Sequence, residues 1–167
     1  MNILVTVASK HGATGEIGEI IAGVLRDAGL TAETRRPQDV VALDGYDAVV
    51  LGSAIYAGRW LEPARAFADR HAAALATRPV WLFSSGPLGD PLMPAGEPPE
   101  PVAIAAKLAA RGHRSFAGRL DRRRLGLLER TLTRAVRAPD GDFRDWEAVR
   151  SWADEIAAEL TPTEVVT

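Results

Sequence analysis

The residues best equipped for chemistry crowd into one stretch, SKHGATGEIG, running from Ser9 to Gly18 directly after the apolar run Asn2 to Ala8. It holds two hydroxyls, Ser9 and Thr14, and glycines at 12, 15 and 18. A turn of this kind between a strand and a helix can bind phosphate in two ways. In a dinucleotide fold the first glycine sits at the strand end, so that a pyrophosphate can approach the backbone. Here that glycine comes four residues after Ala8, and Arg35 and Arg36 stand where an acidic ribose partner would be needed. A cradle for a single phosphate fits better. The hydroxyls of Ser9 and Thr14, the backbone N–H groups from His11 to Gly15 and the positive end of a following helix can converge on one anion. A strand–helix turn with no ligand is the plainer alternative, and the loop by itself favours phosphate over it.

Other chemistries find little support. Cysteine is absent, which excludes disulfides, thiolate metal sites and thiol nucleophiles. His11, His71 and His113 lack the i, i+4 spacing of a helical metal site. Asp90, Asp140 and Asp142 read as turn and capping residues. There is no serine–histidine–acid set, no pair of carboxylates and no glycine–lysine nucleotide loop, so hydrolysis and triphosphate chemistry are not indicated. With 47% hydrophobic and 25% charged residues, the 167-residue chain reads as one soluble domain over 1–160, with a frayed tail at 161–167. No leader or membrane-spanning run is evident, and a cytoplasmic location is expected.

The elements that would position the loop alternate between strand and helix. Buried strands are predicted over Asn2–Ala8, from Tyr46 and from Pro79, with a polar edge strand at 31–36 and a short strand at 113–118. Helices are predicted after the Ser9 loop, over Arg59–Ala76, Val102–Arg111, Asp121–Arg137 and Asp145–Leu160. Six prolines between Pro87 and Pro101 indicate a long ordered loop. This alternation gives right-handed crossovers and a five-stranded parallel sheet covered on both faces, a three-layer α/β fold. Ligands of such sheets sit at the carboxyl ends of the strands, which singles out the loops Ser9–Thr14, Ser53–Trp60 and Ser84–Asp90.

Four segments, ILVTVASKHGATGEIGEIIA, VVLGSAIYAGRW, WLFSSGPLGDP and the long stretch from FAGRLDRRR to RSWADEI, resemble the flavodoxin-like proteins grouped with menaquinone-dependent protoporphyrinogen oxidases. The resemblance implies strand order 2-1-3-4-5 and a non-covalently held FMN. By the same resemblance, Ser9, Lys10, His11, Gly12, Ala13 and Thr14 would hold the FMN phosphate. Ser53, Ala54, Ile55, Tyr56, Ala57 and Gly58 would flank the isoalloxazine, with Tyr56 as its stacking ring. Ser85, Gly86, Pro87, Leu88 and Gly89 would meet the pyrimidine side through backbone groups. A flip of the peptide near Gly58 would offer a carbonyl to the reduced flavin N5–H. The third loop brings no aromatic residue, so one flavin face would be open to a substrate unless Trp60 or the proline-rich loop covers it.

Function then divides three ways. The resemblance implies an oxidoreductase passing electrons from a reduced organic substrate, such as a porphyrinogen, to a quinone or small-molecule acceptor, with no role for nucleic acid. A one-electron carrier is the second reading, although net charge −2 with a balance of +7 across 111–137 differs from a strongly acidic shuttle. A module without flavin is the third. The basic segment 119–137 suits a peripheral contact with an anionic leaflet at the inner membrane face, while burial of its apolar side on the sheet is the plainer reading.

Overall fold

The computed structural model describes residues 1–86, 98–120, 126 and 141–161. Along the chain run β1 (Asn2–Ala8), α1 (Ala13–Asp27), β2 (Thr31–Arg35), β3 (Ala48–Tyr56), β4 (Arg59–Trp60), α2 (Glu62–Arg70), α3 (Ala72–Leu75), β5 (Val80–Ser85), α4 (Pro99–Lys107), β6 (Gly112–Phe116), β7 (Arg119–Leu120), β8 (Gly141–Asp142) and α5 (Trp146–Leu160). Five strands pair in parallel in the order β2-β1-β3-β5-β6, and β4 folds back antiparallel on β3. Leaving that short return aside, this is the expected order 2-1-3-4-5.

Strands buried on both faces split their side chains between two cores. Ile3, Val5, Val50, Trp81 and Phe83 face α1 and α5. Leu4, Val49, Leu51, Val80 and Leu82 face the layer that contains Phe67, Leu75 and Leu108. Three layers result. Phe83, Phe116 and Trp152 form a triangle of rings with centroids 5.6–6.1 Å apart, which fixes α5 against β5 and β6. No described helix is long and apolar enough to cross a membrane.

The sequence expectations need correction at two places. The helix expected from Arg59 begins at Glu62, because Arg59 and Trp60 instead pair with Tyr56 and Ile55. The helix expected from Val102 starts at Pro99, since the first turn of a helix has no intrahelical use for the missing proline N–H. The short strand expected at 113–118 is β6, Gly112–Phe116, which holds His113. Asp145 is a capping residue, its carboxylate accepting from the Ala148 N–H over 3.0 Å. The helix expected over 121–137, Asp90, Asp140 and the tail 162–167 lie outside the described residues.

Candidate functional site

Strand register brings the three loops side by side. Ala8 is level with Ser53 in the β1–β3 pair, Ala54 with Ser85 in β3–β5, and Ser85 with Phe116 in β5–β6. The loops therefore leave adjacent strands at the carboxyl rim of the sheet, where a ligand of this fold class binds.

In the first loop, the Ser9 Oγ accepts from the Gly12 N–H over 3.0 Å and keeps its own proton to donate. Gly12 takes a left-handed φ of +87°, a conformation that glycine adopts without a Cβ penalty. Its carbonyl accepts the first helical bond, from the Glu16 N–H at 3.0 Å. The N–H groups of Ala13, Thr14 and Gly15 thus precede any intrahelical acceptor, and no side chain caps this end of α1. Space in front of Gly12 is open: a Cβ built there meets nothing within 4 Å. These features suit a phosphate, held mainly by backbone dipoles and not by a cationic side chain. Gly18 has a different task. A Cβ there would lie 2.6 Å from the Val7 Cγ2, so this glycine lets α1 approach β1 closely. The periodic glycines of the opening stretch divide between a turn and helix–strand packing.

The second loop is a tight hairpin. Ala57 and Gly58 both have positive φ, 50° and 75°, between the paired residues Tyr56 and Arg59, as in the two-residue turns that match strand twist. Tyr56 stays 38% exposed at the rim, and the Lys10 ammonium lies 5.7 Å from its ring centroid, joining the first two loops. Ala54 is buried and Ile55 half-buried. Ser53 faces inward: its hydroxyl donates to the Ala54 carbonyl and accepts from the Leu61 N–H at 2.9 Å. Only its backbone position is available to a ligand at the rim. Trp60 is also directed inward at 2% exposure and covers no open ligand face.

In the third loop Ser85 is buried, and Gly86 packs backbone to backbone: a Cβ on it would stand 3.1 Å from the Ile55 carbonyl oxygen. A Cβ on Gly118 would in turn lie 3.2 Å from the Gly86 Cα. Pro87, Leu88 and Gly89 lie outside the described residues.

Several supporting residues carry no local sequence signal. The Trp60 Nε1–H donates to the Ser84 Oγ over 2.8 Å, and that oxygen lies 2.9 Å from the His113 Nε2, so a polar chain links β4, β5 and β6 beneath the rim. Glu100, on the first turn of α4, accepts from the Trp60 N–H at 2.7 Å and the Arg59 Nε at 3.1 Å, clamping the hairpin. Arg144 forks onto Asp142, whose carboxyl is held below the usual carboxylate range chiefly by those bonds, against the opposing pull of burial. The same guanidinium reaches Glu16 and the Ala13 carbonyl in α1.

The arrangement has relatives. The family model described as "Flavodoxin domain" matches residues 4–146. Protoporphyrinogen IX dehydrogenase [quinone] of Escherichia coli K12 is 24% identical over 174 residues, covering 94% of this chain and 95% of that protein. Among solved structures, a flavodoxin from the domain Archaea superposes with a TM-score of 0.66 at 17% identity, covering 95% of this chain and 98% of its own. The flavodoxin of Streptococcus pneumoniae TIGR4 gives 0.63 at 19%, covering 96% and 100%. With a sheet of this order, an uncapped anion-ready turn on its rim and a family match over most of its length, the chain belongs to the flavodoxin domain family and FMN is its cofactor.

Proposed function

We propose that this protein is an FMN-dependent oxidoreductase that draws electrons from protoporphyrinogen IX, or a similar reduced organic substrate, and delivers them to a quinone. The observation that carries this reading is the likeness to the E. coli quinone-linked dehydrogenase, which runs nearly end to end in both chains. FMN supplies the redox chemistry; the substrate gives up two electrons and two protons per turnover, and the quinone takes up both.

The chain's own residues bind and orient. The N–H groups of Ala13, Thr14 and Gly15 and the proton of the Ser9 hydroxyl would hold the phosphate, with Lys10 and His11 in the same loop. Ala54 to Gly58 line the ring, and the exposed Tyr56 offers it an aromatic face. Ser85 and Gly86 present backbone groups to the pyrimidine edge. Gly86 and Gly118 let the chain after β5 pack backbone to backbone against Ile55 and against each other. The basic segment 119–137, most of it outside the described residues, enters the proposal through its charge, which would draw the protein to an anionic leaflet where a quinone is available.

Purified protein tests the reading. The expected result is a yellow preparation, or a colourless one that reconstitutes with FMN, which oxidises protoporphyrinogen in the presence of a menaquinone analogue. Fast electron exchange with a flavodoxin reductase, without that oxidation, would make it a carrier. A protein that takes up no FMN would be a binding module.

A further inference from the structure

Arg144 is a charged side chain left only 3% exposed, a placement that costs free energy unless every charge and hydrogen is answered. All three guanidinium nitrogens are in use. Nε and Nη2 fork onto the Asp142 carboxylate at 2.8 and 2.6 Å, and Nη1 donates to Glu16 Oε2 at 2.6 Å and to the Ala13 carbonyl at 3.1 Å. The guanidinium also lies 4.4 Å from the ring centroid of Trp146. Ala13 and Glu16 stand 131 and 128 positions away in sequence, so the contact ties two remote parts of the chain together.

What Arg144 grips is the first turn of α1. Ala13 opens that helix and Glu16 completes its first turn, and the N–H groups left without intrahelical acceptors belong to Ala13, Thr14 and Gly15. Glu16 suits the helix dipole but would oppose a second anion at the same end. Arg144 holds that carboxylate from one side, and Arg119 approaches it at 3.6 Å. The turn is thereby fixed in orientation, and its competing charge is answered, by a guanidinium that is buried and fully engaged.

We infer that Arg144 is the positioning residue of the phosphate site, locking the first turn of α1 so that its free N–H groups converge on the anionic end of the cofactor. This rests on the FMN reading and deepens it. A fork is required, because a lysine at 144 can satisfy one partner but not the carboxylate and the carbonyl at fixed angles together.

The test titrates apoprotein separately with FMN and with riboflavin, which differ only in the phosphate, for wild type, Arg144→Lys and Arg144→Met. The expected result is an FMN Kd raised on the order of tenfold, as when a partner that orients a ligand-binding group is lost, with the riboflavin Kd changed less than about twofold. Amide exchange at Glu16, whose N–H bonds the Gly12 carbonyl to close that turn, should quicken in Arg144→Lys while the β-strand amides keep their protection. Should Arg144→Met fail to fold, Arg144→Lys, which keeps the positive charge, decides alone. An unchanged ratio of the two Kd values in a folded variant overturns the inference while leaving the FMN reading intact. Wild-type apoprotein that binds neither ligand overturns both.

Discussion

The indole nitrogen of Trp60 and the hydroxyl of Ser84 form a buried hydrogen bond of 2.8 Å that fastens the β3–β4 hairpin to the neighbouring strand β5. Removing the acceptor with Ser84→Ala strands a buried indole N–H and breaks the contact to His113, a loss of about 1–3 kcal/mol. Trp60→Phe removes the donor and part of the packing. A double-mutant cycle from denaturant unfolding should give a coupling above about 0.5 kcal/mol. Strict additivity would mean the bond contributes nothing.

Two glycines in α1 should respond in opposite directions to the same substitution. Gly18→Ala drives a methyl into Val7 and should destabilise by about 1–2 kcal/mol, overpacking outweighing the gain in helix propensity. Gly23→Ala has open space around it and should stabilise by about 1 kcal/mol. Thermal unfolding of both variants checks the pair.

Ala57 holds a left-handed φ of 50°, unfavourable for a residue with a Cβ. Ala57→Asn creates the Asn-Gly pair preferred in such hairpins and should raise stability by about 0.5–1 kcal/mol, read as a higher urea midpoint at unchanged slope.

His71 sits buried between α2 and α3, and its Nε2 accepts from the Arg70 Nε at 3.2 Å. Burial pushes its pKa below 6.5, a hydrogen bond with the Val40 backbone pulls the other way, and the Arg70 charge adds to the depression. In the window just below 6.5 the unfolded chain therefore binds a proton that the folded chain refuses. Its stabilising contribution is complete above that value and drains away as pH falls through the folded pKa. Urea midpoints between pH 7.5 and 5 should decline, and His71→Gln should flatten the slope across that window.

The sheet was legible because its strands are β-branched apolar runs, and a chain buried on both faces has few other ways to satisfy its backbone. The polar run 31–36 fitted an edge for the same reason, and β2 lies there. Residues 59–60 leave the expected helix because Ala57 gives no signal of a positive φ, and the helical pattern of the sequence runs back to Arg59. Pro99 and Pro101 suggested continued loop, although a first turn accommodates both. The contribution of Arg144 could not be read at all: its spacing to Ala13 and Glu16 has no period, and only the folded chain brings them into contact. Within the loops, residue types do not indicate that the Ser53 hydroxyl is turned inward.

The outermost strand also bears on how the protein behaves at high concentration. Glu33 and Arg35 project from β2 as an ion pair, with the Tyr46 hydroxyl donating to the same glutamate over 2.8 Å. A neighbouring molecule that tried to extend the sheet across this margin would have to strip water from both charges and gain little apolar contact in return. The ladder stops growing at that border, and crowding should drive fibril formation there only weakly.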